Sequence, residues 1–203
     1  MAIVLIIKAI AVGSWIINQR LSQMCSRHFS YRTLICCGET FARENIDNLP
    51  LQEESWEAIS KLARHVLDPV VGQFGDIELT YAFCSRKLSL AIAKNSPPRI
   101  APKLDQHAGY ELNSKGERVC ERGGQACDFL VPDIPSTDVA RWLVQHCPFD
   151  RLYYYGARLP IHVSYSDCPS REVCWLKGPR FGRRQPYRYT VEGFLEQLSR
   201  YEP

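Results

Sequence analysis

Three short pieces of this chain carry side chains suited to holding a metal ion. The first is DQHAG at 105–109, the second GQACDF at 124–129 and the third PIHVSY at 160–165. Imidazole nitrogens and carboxylate oxygens are ordinary zinc ligands, and catalytic zinc takes three protein ligands with a fourth position left open. A single histidine is more often a hydrogen-bonded core or surface residue, and His28, His65 and His146 are read in that way. The nine cysteines do not form zinc-ribbon CxxC pairs, and Cys120 with Cys127, or Cys168 with Cys174, stand too far apart to serve as knuckles. No P-loop, dinucleotide fingerprint, nucleophile elbow or internal repeat is present.

Read together as QHxG, GxAxDF and xIHVSY, the three pieces resemble the zinc-binding core of the M15 zinc peptidases. That family comprises D,D-carboxypeptidases, D,D-dipeptidases and phage-type peptidoglycan endopeptidases, and it shares its fold with the hedgehog signalling domain. The resemblance spans about residues 29–165 and marks a divergent member. It implies an α+β fold, a hedgehog/D,D-peptidase-like small and mostly antiparallel sheet with flanking helices. It implies zinc as cofactor, held by His107, Asp128 and His162. It also implies that Arg86, at the end of a segment similar to the family's substrate-binding one, orients a substrate carboxylate. A guanidinium suits that task because its planar fork makes two charge-assisted bonds. The implied reaction is hydrolysis of peptide amide bonds, in peptidoglycan-type peptides containing D-amino acids.

Two departures from the pattern bear on that expectation. Twenty residues, Ala108 to Cys127, separate His107 from Asp128, and the polar stretch near 110–123 reads as an insertion. Surface loops absorb such length at small entropic cost. More consequential is the position just upstream of the third ligand, where active relatives carry an acidic residue that accepts and returns a proton. Tyr155 stands there, and no acidic residue occurs from Leu152 to Ile161. Tyrosine, with an ordinary pKa near 10, is a poor base at neutral pH but can donate to an oxyanion. Asp133, Asp167, Glu111, Glu117 and Glu121 are the candidate substitutes. The alternative is a catalytically inactive zinc-binding relative that recognises a peptide, glycan or protein. A cytosolic enzyme using the same cage on another substrate is a third reading.

The elements that must position these residues follow from periodicity. Leu51, Trp56, Ile59, Leu62, Ala63, Val66 and Leu67 recur at helical spacing, with Asp68-Pro69 as a kink or stop. Ile77, Leu79 and Tyr81 alternate with Asp76, Glu78 and Thr80, the period of a strand. A helix carrying Val139, Trp142 and Leu143 is predicted to start at a Ser136 or Thr137 cap and to end at Cys147-Pro148. Residues 149–156 and 161–165 form a predicted hairpin. Ser166 to Cys174 reads as loop, followed by a basic and aromatic tail and a short helix burying Phe194 and Leu198.

Composition sets the outer limits. With 203 residues, 45% of them hydrophobic and 23% charged, the chain can bury a core. A net charge of +3 argues against nucleic acid as the partner, even with Lys177, Arg180, Arg183, Arg184 and Arg188 near Phe181, Tyr187 and Tyr189. Residues 1–28 read as an apolar extension and 29–203 as the peptidase-like domain. The run from Ala2 to Ile17 is short for a membrane span and lacks a clear cleavage site. It is a membrane-facing segment, a peripheral helix, or the product of too early a start, with Met24 as the alternative. An odd and scattered set of cysteines favours free thiols and a cytoplasmic location, with export or membrane association as the other options.

Overall fold

The computed structural model describes residues 15–94, 106–179 and 184–201. Residues 2–14 of the apolar run, Arg180, Phe181 and Arg183 of the tail, and Asp105 of the first motif lie outside these. Among the described residues no helix is long and apolar enough to cross a membrane.

The chain is α+β, as the resemblance implies at that level, with six strands in one mixed sheet and helices packed on it. The strands are β1 (Glu78–Tyr81), β2 (Gln125–Leu130), β3 (Arg151–Tyr154), β4 (Ile161–Tyr165), β5 (Glu172–Lys177) and β6 (Gln185–Tyr189). Their order across the sheet is β1-β2-β4-β3-β5-β6. All neighbours are antiparallel except β3 and β5. Helical segments are α1 (15–22), α2 (Tyr31–Ile35), α3 (Glu39–Glu44), α4 (Glu53–Leu62), α5 (Asp68–Phe74), α6 (Arg86–Ile92), α7 (Ser136–His146) and α8 (Val191–Tyr201).

Strand alternation sorts the sheet into two faces. Cys127, Phe129, Leu152, Tyr154, Ile161, Val163, Val173 and Trp175 project from one of them, and each is buried. Against this face lie Ile59 and Leu62 of α4, Leu143 of α7, and Phe194 and Leu198 of α8, in one continuous apolar cluster. Tyr154 meets Phe194 edge to face, with ring centroids 5.6 Å apart, and Thr137 of α7 bonds its hydroxyl at 2.6 Å. The opposite face carries Asp128, His162, Tyr153 and Cys174, which the strand registers place in one transverse row.

Several sequence expectations change here. Asp68-Pro69 does not stop the helix. A π-helical segment, Ala63–Leu67, joins α4 to α5, and Pro69 sits in the first turn of α5. Proline lacks the N–H that an α-turn would use, so a wide turn just before it preserves the helix axis. Neither Ser136 nor Thr137 caps α7, because Pro135 holds the cap position and makes no side-chain cap bond. The Ser136 hydroxyl instead donates to Leu159 O at 2.7 Å, pinning α7 to the β3–β4 turn. Residues 172–177, read as loop and tail, form β5 and pair in parallel with β3. The hairpin β3–β4 and the terminal helix stand where periodicity put them.

Residues 20–28 belong to the same packed unit. Leu21 and Cys25 are buried in the main cluster. The Arg20 guanidinium lies 4.0 Å over the Trp56 ring and pairs with Glu53. Cys25 O accepts from Ser60 Oγ at 2.6 Å and Arg64 Nε at 3.1 Å.

Candidate metal centre

The register of β2 with β4 sets Asp128 directly opposite His162. Residues paired across an antiparallel sheet point to the same face and lie close, so the two side chains meet without help from a loop. His107 comes from outside the sheet, in the turn 106–109, and several backbone contacts fix it. Its carbonyl accepts from Cys84 N at 2.9 Å and from Gln125 Nε2 at 3.2 Å. Ala126 N donates to Gln106 O at 3.2 Å, tying this turn to β2.

The glycines of the two motif halves are needed for this approach. Gly109 has φ +56°, and a Cβ there would meet Ser55 Oγ and Gln125 Oε1 at 3.1 Å. Gly124, at φ +107°, would place a Cβ 2.1 Å from Tyr165 O, which no side chain tolerates. The separated HxG and GxAxD pieces thus meet as two halves of one arrangement, with residues 110–123 looping outward between them.

His107 Nε2, His162 Nδ1 and Asp128 Oδ1 form a tight triangle. The edges are 3.2 Å between the imidazoles, 2.8 Å from His162 to Asp128 and 3.3 Å from His107 to Asp128. Three donors about 2.0–2.1 Å from a tetrahedral zinc ion would stand about 3.3 Å apart, so the triangle has the dimensions of one face of such a site. These residues could hold a metal ion, and among those described no fourth His, Cys, Asp or Glu joins them.

The surroundings suit the same purpose. His107 Nδ1 lies 2.8 Å from Ala82 O, so its N–H donates there and the Nε2 lone pair faces inward. This carbonyl contact is the usual way of fixing the tautomer of a ligating histidine. Both histidine side chains are almost wholly buried. Burial pushes the Asp128 carboxyl up, but the adjacent His107 and His162 outweigh it and hold the group well below the ordinary carboxylate range. His162 Nε2 is buried with no hydrogen-bond partner among the described residues, so this ring, unlike that of His107, is not held from its outer nitrogen.

Sequence reasoning missed the tyrosine that braces His162. Tyr153 pairs with it across β3 and β4 and stacks on its ring at 4.5 Å and 13°. Arg151 Nη1 donates to the Tyr153 hydroxyl at 3.2 Å. Tyr81 lies against His107 with centroids 4.3 Å apart. The alternation of three consecutive tyrosines was the available signal, since only one parity can share a face with His162.

The other expected site residues sit as follows. Tyr155 is half-buried just beyond β3, its carbonyl accepting from Arg184 and its ring 5.3 Å from that guanidinium. Arg86 is exposed at the first position of α6. Of the substitute acids, Glu111 is buried but spends Oε1 on Leu51 N, Gln52 N and Ser55 Oγ, at 2.9–3.1 Å. Glu117 bonds Asn113, Asp167 pairs with Lys61, and Glu121 and Asp133 are exposed. A cavity of about 180 Å³ lined by Glu54, Glu57, Lys61, Tyr165 and Asp167 includes none of the three donors. Comparison of the chain with protein-family models, curated proteins and solved structures finds no match to any of them.

Proposed function

We propose that this chain is a zinc-dependent metallopeptidase of the hedgehog/D,D-peptidase type, hydrolysing peptide amide bonds in D-amino-acid-containing peptidoglycan peptides. The donor triangle of His107, Asp128 and His162 carries this reading. Two imidazoles and one carboxylate form a three-ligand set of the catalytic rather than the structural kind. Zinc bound there would polarise a substrate carbonyl and supply a nucleophile at neutral pH. The protein's own part is to orient both imidazoles through Ala82 O and the Tyr153 ring. Tyr155, half-buried just beyond β3, would donate to the developing oxyanion, and Arg86 would reach a substrate carboxylate from the start of α6.

A second reading has an observation in its favour. Among the described residues no further carboxylate stands with the three donors, and Glu111, the buried acid nearest in sequence to the motif, serves a helix end. A zinc-binding module that recognises a peptide or glycan without cleaving it fits that arrangement. Incubation of the zinc-loaded protein with D-Ala-D-Ala-terminated muropeptides, with and without chelator, separates the two. Chelator-sensitive release of D-alanine or cross-bridge products supports the peptidase. Binding without cleavage supports the module.

A further inference from the structure

We propose that Asp150 is the positioning residue of the metal centre, and that through it the segment 110–123 is coupled to metal affinity. This inference rests on the metal-site reading above. Asp150 lies just before β3 and takes no part in the donor triangle, yet it is 1% exposed. Its carboxylate accepts from Ser170 N at 2.7 Å, Ser170 Oγ at 2.8 Å, Gln106 Nε2 at 2.8 Å and Arg122 Nη2 at 3.0 Å. Burial alone would raise its pKa, and these donors outweigh it. A charge buried among this many partners is satisfied only while all of them stay in place.

The link to the centre is Gln106, the residue immediately before His107. Its side chain is fully buried, and its amide donates to Asp150 on one side and to Gly123 O, at 2.6 Å, on the other. Its Oε1 has no partner among the described residues, and the two donated bonds set the amide's orientation. Its backbone carbonyl accepts from Ala126 N, two residues before Asp128. Asp150 therefore holds the peptide from which His107 projects and, through Gly123, the return of the 110–123 segment into β2. The same segment supplies Arg122, whose side chain is about one-third exposed and completes the ion pair. Asp150 also anchors the crossover from β4 to β5, since Glu172 N donates to its carbonyl at 3.0 Å. The stretch between the first two donors is thus a support of the centre, with Arg122 as its contact.

Groups that orient metal ligands from the outer shell typically change metal affinity by about 10–100-fold when removed. The test titrates zinc alone against a competing chromophoric chelator in the full chain, with the metal-free melting temperature measured in parallel. Arg122→Gln and Asp150→Asn are expected to bind zinc at least about tenfold more weakly than wild type, and Arg122→Lys to recover most of the loss. Arg118→Gln is the control. It lies in the same segment, with its guanidinium over Tyr110, and is expected to bind as wild type. A lowered melting temperature with wild-type zinc affinity in Arg122→Gln would assign the network to folding alone and overturn the proposal. If Asp150→Asn does not fold, the Arg122 pair decides. A wild type that takes up no zinc overturns the metal reading and this inference together. Zinc uptake unchanged in Arg122→Gln overturns the inference alone.

Discussion

Among single residues, Glu111 shows how a plausible catalytic acid can be committed elsewhere. Gln52 holds the N-cap position of α4 without making a side-chain cap bond. Glu111, from far along the chain, instead accepts from the N–H of Gln52 itself and of Leu51 just before it, and its negative charge suits the positive end of the helix. Glu111→Ala is expected to lower stability by about 2 kcal/mol, the scale of a lost cap plus a stranded donor. Equilibrium denaturation measures this, and zinc content should stay at the wild-type level. Unchanged stability with lost zinc would reverse that assignment. The three candidate donors were legible because each sits in a short motif whose neighbours set its geometry. The roles of Glu111, Asp150 and Gln106 were not, although Gln106 stands within the QHxG piece, because their partners lie up to 60 residues away.

The secondary-structure elements split in a similar way. The helix of α4, the hairpin β3–β4 and α8 depend on local periodicity, and the sequence shows them. β5 depends on parallel pairing with β3 across a crossover, and its alternating Val173 and Trp175 sat in a stretch dominated by charge and loop residues. The π-helical segment before Pro69 was hidden because proline signals a break, and the wide turn that avoids one has no sequence mark of its own. The boundary expected at residue 28 crosses packed structure. Leu21 is buried, Arg20 covers Trp56, and Cys25 O receives two bonds from α4 and the π segment. A chain starting at Met24 is expected to be less stable by about 2 kcal/mol, roughly the burial of one leucine. Matching denaturation midpoints for the two chains would show that this packing contributes nothing.

At the scale of the whole molecule, the apolar cluster and the candidate donor triangle occupy opposite faces of one sheet. One face is closed by α4, α7 and α8, with fully buried Phe129, Leu152, Tyr154 and Val163. The other presents Asp128 and His162 in adjacent strands, with His107 delivered by a turn braced from Asp150 and Ala126. Sheet register does most of this placement, so the candidate centre brings together residues distant in sequence. Elemental analysis of chain purified without chelator tests it most directly, comparing wild type with His107→Ala, Asp128→Ala and His162→Ala. The account predicts about one zinc per wild-type chain, as a single three-ligand site requires, and loss of it in all three variants. Folded wild-type protein that stays free of zinc after reconstitution would contradict it.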